Sequence, residues 1–185
     1  MKSSPLAACA TAAALFAVAT LGLAQIERLD LPLMVAKSDR SVYGQITARN
    51  VIRIDHPVDG HELYFTTLTI EGRSLDNGNP VTVDVSHMGG WIDEEQGSFN
   101  SEAPSADDTR VGNKVVCFYK HEENMGGDFT GNAIYAWHGG IYRTFERKGA
   151  VVVQGRGDGY AIPANVALGE LEQAIRALAE AKGGK

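Results

Sequence analysis

Side chains able to do chemistry are few and scattered in this chain. Histidines stand at His56, His61, His87, His121 and His138, and cysteines at Cys9 and Cys117. The recognised zinc spacings, such as His-Glu-x-x-His and Cys-x-x-Cys, are absent. His56 and His61 flank one loop and could meet across a hairpin. With a carboxylate they would make a small metal-dependent hydrolase, whereas the plainer reading is two solvated loop histidines. The acidic group Asp93-Glu94-Glu95, with Glu102, Asp107 and Asp108, lacks the alternating Asp/Asn spacing of a calcium loop and reads as a solvated loop. No Gly-x-Ser-x-Gly elbow is present. The glycine-rich stretches Gly126-Gly127 and Gly155-Arg156-Gly157-Asp158-Gly159 do not open a helix after a strand, so neither is a phosphate loop. Arg156-Gly157-Asp158 spells a short integrin-binding tripeptide, which three residues produce readily by chance. The expectation is therefore no catalytic residue, no metal and no cofactor.

Binding is what remains. Trp91 follows Gly89-Gly90, and Trp137-His138 precedes Gly139-Gly140. A tryptophan beside glycine at a strand end either plugs the barrel end as core or lies partly exposed and stacks on a sugar or peptide. The candidate binding residues are Trp91, Asp93, Glu94, Glu95, Trp137 and His138.

The 185 residues carry 17 basic and 23 acidic side chains, a net charge of −6. Nucleic-acid binding and polybasic membrane attachment both require the opposite sign. Met1-Lys2, the uncharged alanine-rich run Leu6 to Leu23, and Gly22-Leu23-Ala24 read as a secretory signal cut before Gln25. An uncleaved anchor is the rival. Leu6-Ala7-Ala8-Cys9 resembles a lipobox, but its apolar stretch follows Cys9 instead of preceding it. Loss of residues 1–24 leaves 161 residues with 16 cations against 23 anions, a charge of −7. Cys117 then stands alone in the apolar run Val115–Tyr119, so no internal disulfide can form and a buried, inert thiol is expected. No second apolar span follows, so the mature chain should be soluble, and periplasmic or extracellular.

The elements that must position these residues follow from periodicity. Asp30 caps a short helix through Lys37, with Pro32 in its first turn and Leu31, Met34 and Val35 on one face. Ser41–Ala48 and Val51–Ile54 read as one long strand bent near Gly44. Across the loop Asp55–His61, Glu62–Glu71 alternates, with Tyr64, Thr66, Leu68 and Ile70 on one face. Asp76–Pro80 is a turn. Val81–His87 is a strand with its valines inward, stopped by Gly89-Gly90. Trp91–Arg110 and His121–Gly131 read as loops around the strand Val115–Tyr119. Ala133–Trp137, Tyr142–Arg147 and Val151–Gln154 are further short strands. Leu168, Leu171, Ile175 and Leu178 form one apolar helical stripe, capped by Asn165, expected to pack on the barrel. About six or seven strands without βαβ alternation indicate a sandwich or small barrel. The fold expected is mainly β: a small OB-like, partly closed antiparallel barrel with a short N-terminal helix and a C-terminal amphipathic helix. Residues 25–164 form the barrel domain and 165–185 the helix.

The order Ser38-Asp39, Val42-Tyr43-Gly44-Gln45-Ile46, Thr69-Ile70-Glu71-Gly72, Val81-Thr82-Val83, Gly89-Gly90 and Val111–Phe118 resembles a group of uncharacterised secreted bacterial proteins. Ser38, Glu71 and Asn113 stand where that group's pattern has alanine, lysine and glutamate. The layout is also similar to the inhibitory domain of tissue inhibitors of metalloproteinases, an OB-like barrel. That family inhibits through a disulfide-held cysteine at the mature N-terminus. Here the start is Gln25, so that mechanism does not carry over. The resemblance implies a fold and leaves function open. The leading expectation is an exported, non-enzymatic module that recognises a protein or surface polymer through its loops. The alternatives are the His56/His61 hydrolase and an envelope-assembly subunit docked by its C-terminal helix.

Overall fold

A computed structural model describes residues 29–184. The expected signal segment 1–24, Cys9 and Gln25 lie outside the described residues.

Helix α1 (Leu31–Lys37) begins where expected. Asp30 accepts a hydrogen bond from the Leu33 N–H at 2.8 Å, and Pro32 sits in the first turn. The strands are β1 (Arg40–His56), β2 (Gly60–Ser74), β3 (Pro80–Met88), β4 (Gly90–Trp91), β5 (Gly97–Ser98), β6 (Lys114–Glu122), β7 (Gly131–Ile134), β8 (Ile141–Arg147), β9 (Ala150–Val153) and β10 (Val166–Ala167). Helix α2 (Leu168–Gly183) ends the described chain.

Five strands close a barrel in the order β1-β2-β3-β7-β6, with β6 returning to β1. All neighbours are antiparallel except β3 and β7, which join in parallel at Ser86 and Ala133. Asn132 Nδ2 reinforces this seam by donating to the Asp84 carbonyl at 3.0 Å. The fold is therefore a closed, OB-like barrel, and its last joint is parallel where an antiparallel one was expected.

β1 pairs with β2 over Val42–His56 and with β6 through Arg40–Gln45. The bend expected near Gly44 is expressed as a register shift between Ile46 and Ala48, which leaves Thr47 as the extra residue of a bulge. Gly44 lies opposite Gly72 in the ladder. A Cβ on Gly72 would collide with the Tyr43 carbonyl and Gly44 Cα, and one on Gly44 with the Glu71 carbonyl. Only paired glycines allow this approach.

Two cores result. Val42, Ile46, Leu68, Ile70, Val85, Val115 and Cys117 fill the barrel. Met34, Leu75, Val116, Phe118, Tyr142, Leu168, Leu171 and Ile175 fill a second layer between the barrel and the two helices. β6 serves both: Val115, Cys117 and Tyr119 point inward, Val116 and Phe118 toward the helices. That is why its sequence is continuously apolar. β8 extends the sheet from the first half of β6, while β7 takes the second half. Cys117 is fully buried, and burial pushes its thiol far above the usual cysteine range.

Helix α2 buries Leu168, Leu171 and Ile175, with Leu178 packed at the edge. Its cap differs from expectation. Asn165 Oδ1 accepts from the Gly155 N–H at 2.9 Å, so its side chain is held by the preceding loop, and Ala167 occupies the cap position. Lys182 Nζ donates to the Ser38 carbonyl at 2.7 Å, tying the end of α2 to the end of α1. Ile175→Ala should lower the free energy of urea unfolding by about 2–5 kcal/mol, and Leu178→Ala by clearly less. Equal losses would contradict a helix whose stripe is core.

Candidate functional site

Along β3 the inward parity runs Val83, Val85, His87. His87 therefore reaches the end of the barrel interior, where it is only 5% exposed. Its Nδ1 lies 3.1 Å from the Met88 carbonyl. A carbonyl can only accept, so Nδ1 carries the proton and Nε2 is left as an acceptor. Nε2 is buried with no hydrogen-bond partner. Burial pulls the His87 pKa below the usual 6.5, the Arg49 charge adds to this, and the Met88 carbonyl opposes it. The imidazole is neutral at pH 7.

Two cavities share His87 as a wall. One, of about 270 Å³, lies between Met88, Met125, Tyr135 and Trp137. The other, of about 400 Å³, lies beneath Arg49, Trp91, Phe99 and Pro104. The two tryptophans singled out by sequence thus line neighbouring cavities at one pole of the barrel, and neither is a core plug: Trp91 is 51% exposed and Trp137 41%.

The stretch after Gly89-Gly90, expected to be wholly loop, contains the β4–β5 hairpin. Its tip is an Asx turn, in which Asp93 Oδ1 accepts from the Glu95 and Gln96 N–H groups at 2.9 and 2.8 Å. Asp93 is thus a turn builder, while Glu94 and Glu95 are exposed. Trp91 lies across Gly97, where any Cβ would strike the indole ring. Ile92 and Phe99 flank it, 47% and 82% exposed.

Trp137 stands apart from this hairpin. The expected strand through Trp137 ends at Ile134, because Ala136 and Trp137 take left-handed φ values of 57° and 53°. Such values are uncommon outside glycine and turn the chain sharply. His138 is a brace. Its backbone N–H donates to the Glu102 carbonyl at 3.0 Å, and its ring nitrogens lie 3.1 Å from the Glu102 carbonyl and 3.1 Å from the Tyr160 hydroxyl.

The other candidates are also engaged. His56 Nδ1 accepts from the Asp59 N–H at 3.0 Å, and its Nε2 lies 3.3 Å from Asp128. Asp59 in turn accepts from the Gly127 N–H at 2.7 Å, fastening the β1–β2 loop to the β6–β7 loop. His61 is exposed on β2 beside Asp55. Among the described residues, no three His, Cys, Asp or Glu side chains are grouped to hold a metal ion. Asp108 is buried against Arg156 at 2.7 Å and Arg143 at 3.1 Å, so the arginine of the Arg-Gly-Asp tripeptide is held inside the fold. Also among the described residues, no helix is long and apolar enough to cross a membrane.

Sequence reasoning passed over His87, Arg49 and Phe99. For His87 the signal was present, since the valine alternation of β3 already put it on the inward face. Arg49 and Phe99 carry no such local mark.

Comparison with protein-family models, with curated proteins and with solved structures yields no match for this chain. The fold and site define a class: a closed five-stranded, OB-like β-barrel flanked by helices, with two aromatic-lined cavities at one pole.

Because the folded state holds His87 neutral, the unfolded chain takes up its proton first as pH falls. His87 therefore contributes stability above about pH 6.5 that is lost on acidification. The urea midpoint should fall more steeply between pH 7 and pH 5.5 for the parent protein than for His87→Gln. Parallel pH profiles would contradict the buried neutral ring.

Proposed function

We propose that the protein is an exported, non-enzymatic β-barrel module that recognises a protein or surface polymer through the loops at the His87 pole. One observation carries this reading. Trp91, Ile92 and Phe99 are offered to solvent from a short, turn-locked hairpin above a cavity of about 400 Å³. Large aromatic groups exposed together on a rigid support are typical of interaction surfaces and are unfavourable in water without one.

Other features agree. The polar side chains able to do chemistry hold loops together instead: His56 with Asp59 and Asp128, His138 with Glu102 and Tyr160, Asp108 with two arginines. The hydrolase alternative needs His56 and His61 to converge on a carboxylate, and His56 is turned to Asp128. The envelope-subunit alternative needs a free apolar stripe on α2, and that stripe is buried within the protein. The net charge of −7 without residues 1–24 disfavours nucleic acid. Kinship with the secreted barrel proteins that the sequence resembles belongs to the same reading.

Two experiments test it. Mass spectrometry of the protein released by its producing cells should find Gln25 as the first residue, and a chain retaining residues 1–24 overturns cleavage. The Trp91→Ala/Phe99→Ala protein should melt within about 2 °C of the parent, since both changes are at the surface. It should nevertheless lose most of its co-sedimentation with the envelope fraction of the same cells. Undiminished sedimentation overturns the docking role of the hairpin.

A further inference from the structure

We infer that the hairpin and the cavity beneath it accept a basic protein segment, seating one of its uncharged apolar side chains in the cavity and its Lys or Arg side chains on the acidic rim. This rests on the docking reading above and adds the chemistry of the partner.

Charge decides the partner class. Between Trp91 and Thr109 the chain carries six carboxylates and neither lysine nor arginine. Asp108 is neutralised by Arg143 and Arg156, and Asp107 pairs with Arg110. The Asp93 carboxylate is occupied by its own turn and Glu102 lies 3.7 Å from His138 Nδ1, which leaves Glu94 and Glu95 exposed at the hairpin tip near the aromatic patch. A cation approaching this rim meets uncompensated negative charge together with the open face of Trp91, where ammonium and guanidinium groups are also attracted to the ring. An anionic polymer would be repelled by the same groups.

The cavity selects differently from its rim. Arg49 and His87 line it, and no carboxylate does. A cation inserted there would face Arg49 with no carboxylate to offset it. Trp91, Phe99 and Pro104 instead supply apolar surface for a leucine-like or aromatic side chain. Rim and cavity together therefore fit an apolar residue flanked by basic ones. That arrangement belongs to a peptide, whereas a neutral sugar gains nothing from the acidic rim.

The test uses the chain from Gln25 onward, with Trp137→Phe so that Trp91 alone reports by fluorescence. The probes are a short amidated Lys/Leu peptide, its Glu/Leu counterpart and an uncharged chito-oligosaccharide. The Lys/Leu peptide should shift Trp91 emission. Its affinity should fall about tenfold or more with Phe99→Ala and with Glu94→Gln/Glu95→Gln, weaken with added salt, and stay unchanged with the remote Glu146→Gln. Equal or tighter binding of the Glu/Leu peptide or the oligosaccharide at Trp91 overturns the basic-segment inference and leaves the docking reading standing. Lys/Leu binding indifferent to Phe99→Ala also overturns it. If no probe binds, the inference fails. Envelope sedimentation then decides separately whether the docking reading fails with it.

Discussion

The barrel depends on one strand serving two partners. β1 is paired with β2 from Val42 to its end and with β6 over its first part, so it must coil strongly enough to reach both. A flat strand cannot do this. The bulge at Thr47 and the facing pair Gly44 and Gly72 provide the coil, the first by adding an unpaired residue and the second by letting two backbones nearly touch. Once β1 is bent, β6 is covered on both faces, and a second core can form against the helices. Closure then needs only the short parallel seam at Ser86 and Ala133.

The same closure fixes what happens at the open pole. Loops that would otherwise move are pinned to the barrel or to each other by charged and polar side chains. His56 and Asp59 hold the β6–β7 loop, Asp108 anchors the long acidic loop through two arginines, and His138 joins that loop to the segment carrying Tyr160. Surface ion pairs contribute little stability individually. The Asp108 group differs because its carboxylate is buried, so each arginine there offsets a real desolvation cost. The Asx turn at Asp93 and the Asp108 anchor fix the loop from which Trp91, Ile92 and Phe99 are exposed.

Much of the fold was legible in the chain. Period-two alternation marked β2 and β3, Asp30 marked the start of α1, and the four-leucine-type stripe marked α2. The misreadings share a cause. Asn165 has the right chemistry for a cap, but a loop ten residues upstream competes for its oxygen. The β4–β5 hairpin is too short to show a period, and the Asx turn that Asp93 builds at its tip carries no mark of its own in the sequence. Glu94 and Glu95 stayed at the surface as read. The bracing of His138 could not be read locally, because both its partners, Glu102 and Tyr160, are distant along the chain.

By itself the sequence determined local matters: which stretches are strands or helices, which faces are apolar, and the surplus of negative charge. These follow from near-neighbour sterics, hydrophobic period and composition, all of which operate along the chain. Only the tertiary structure decided that His87 is buried and neutral between two cavities, that Trp91 and Trp137 open on different ones, and that most of the eye-catching histidines and carboxylates fasten loops. Those outcomes depend on which strands meet when the barrel closes, and contacts between residues far apart in sequence leave no local trace.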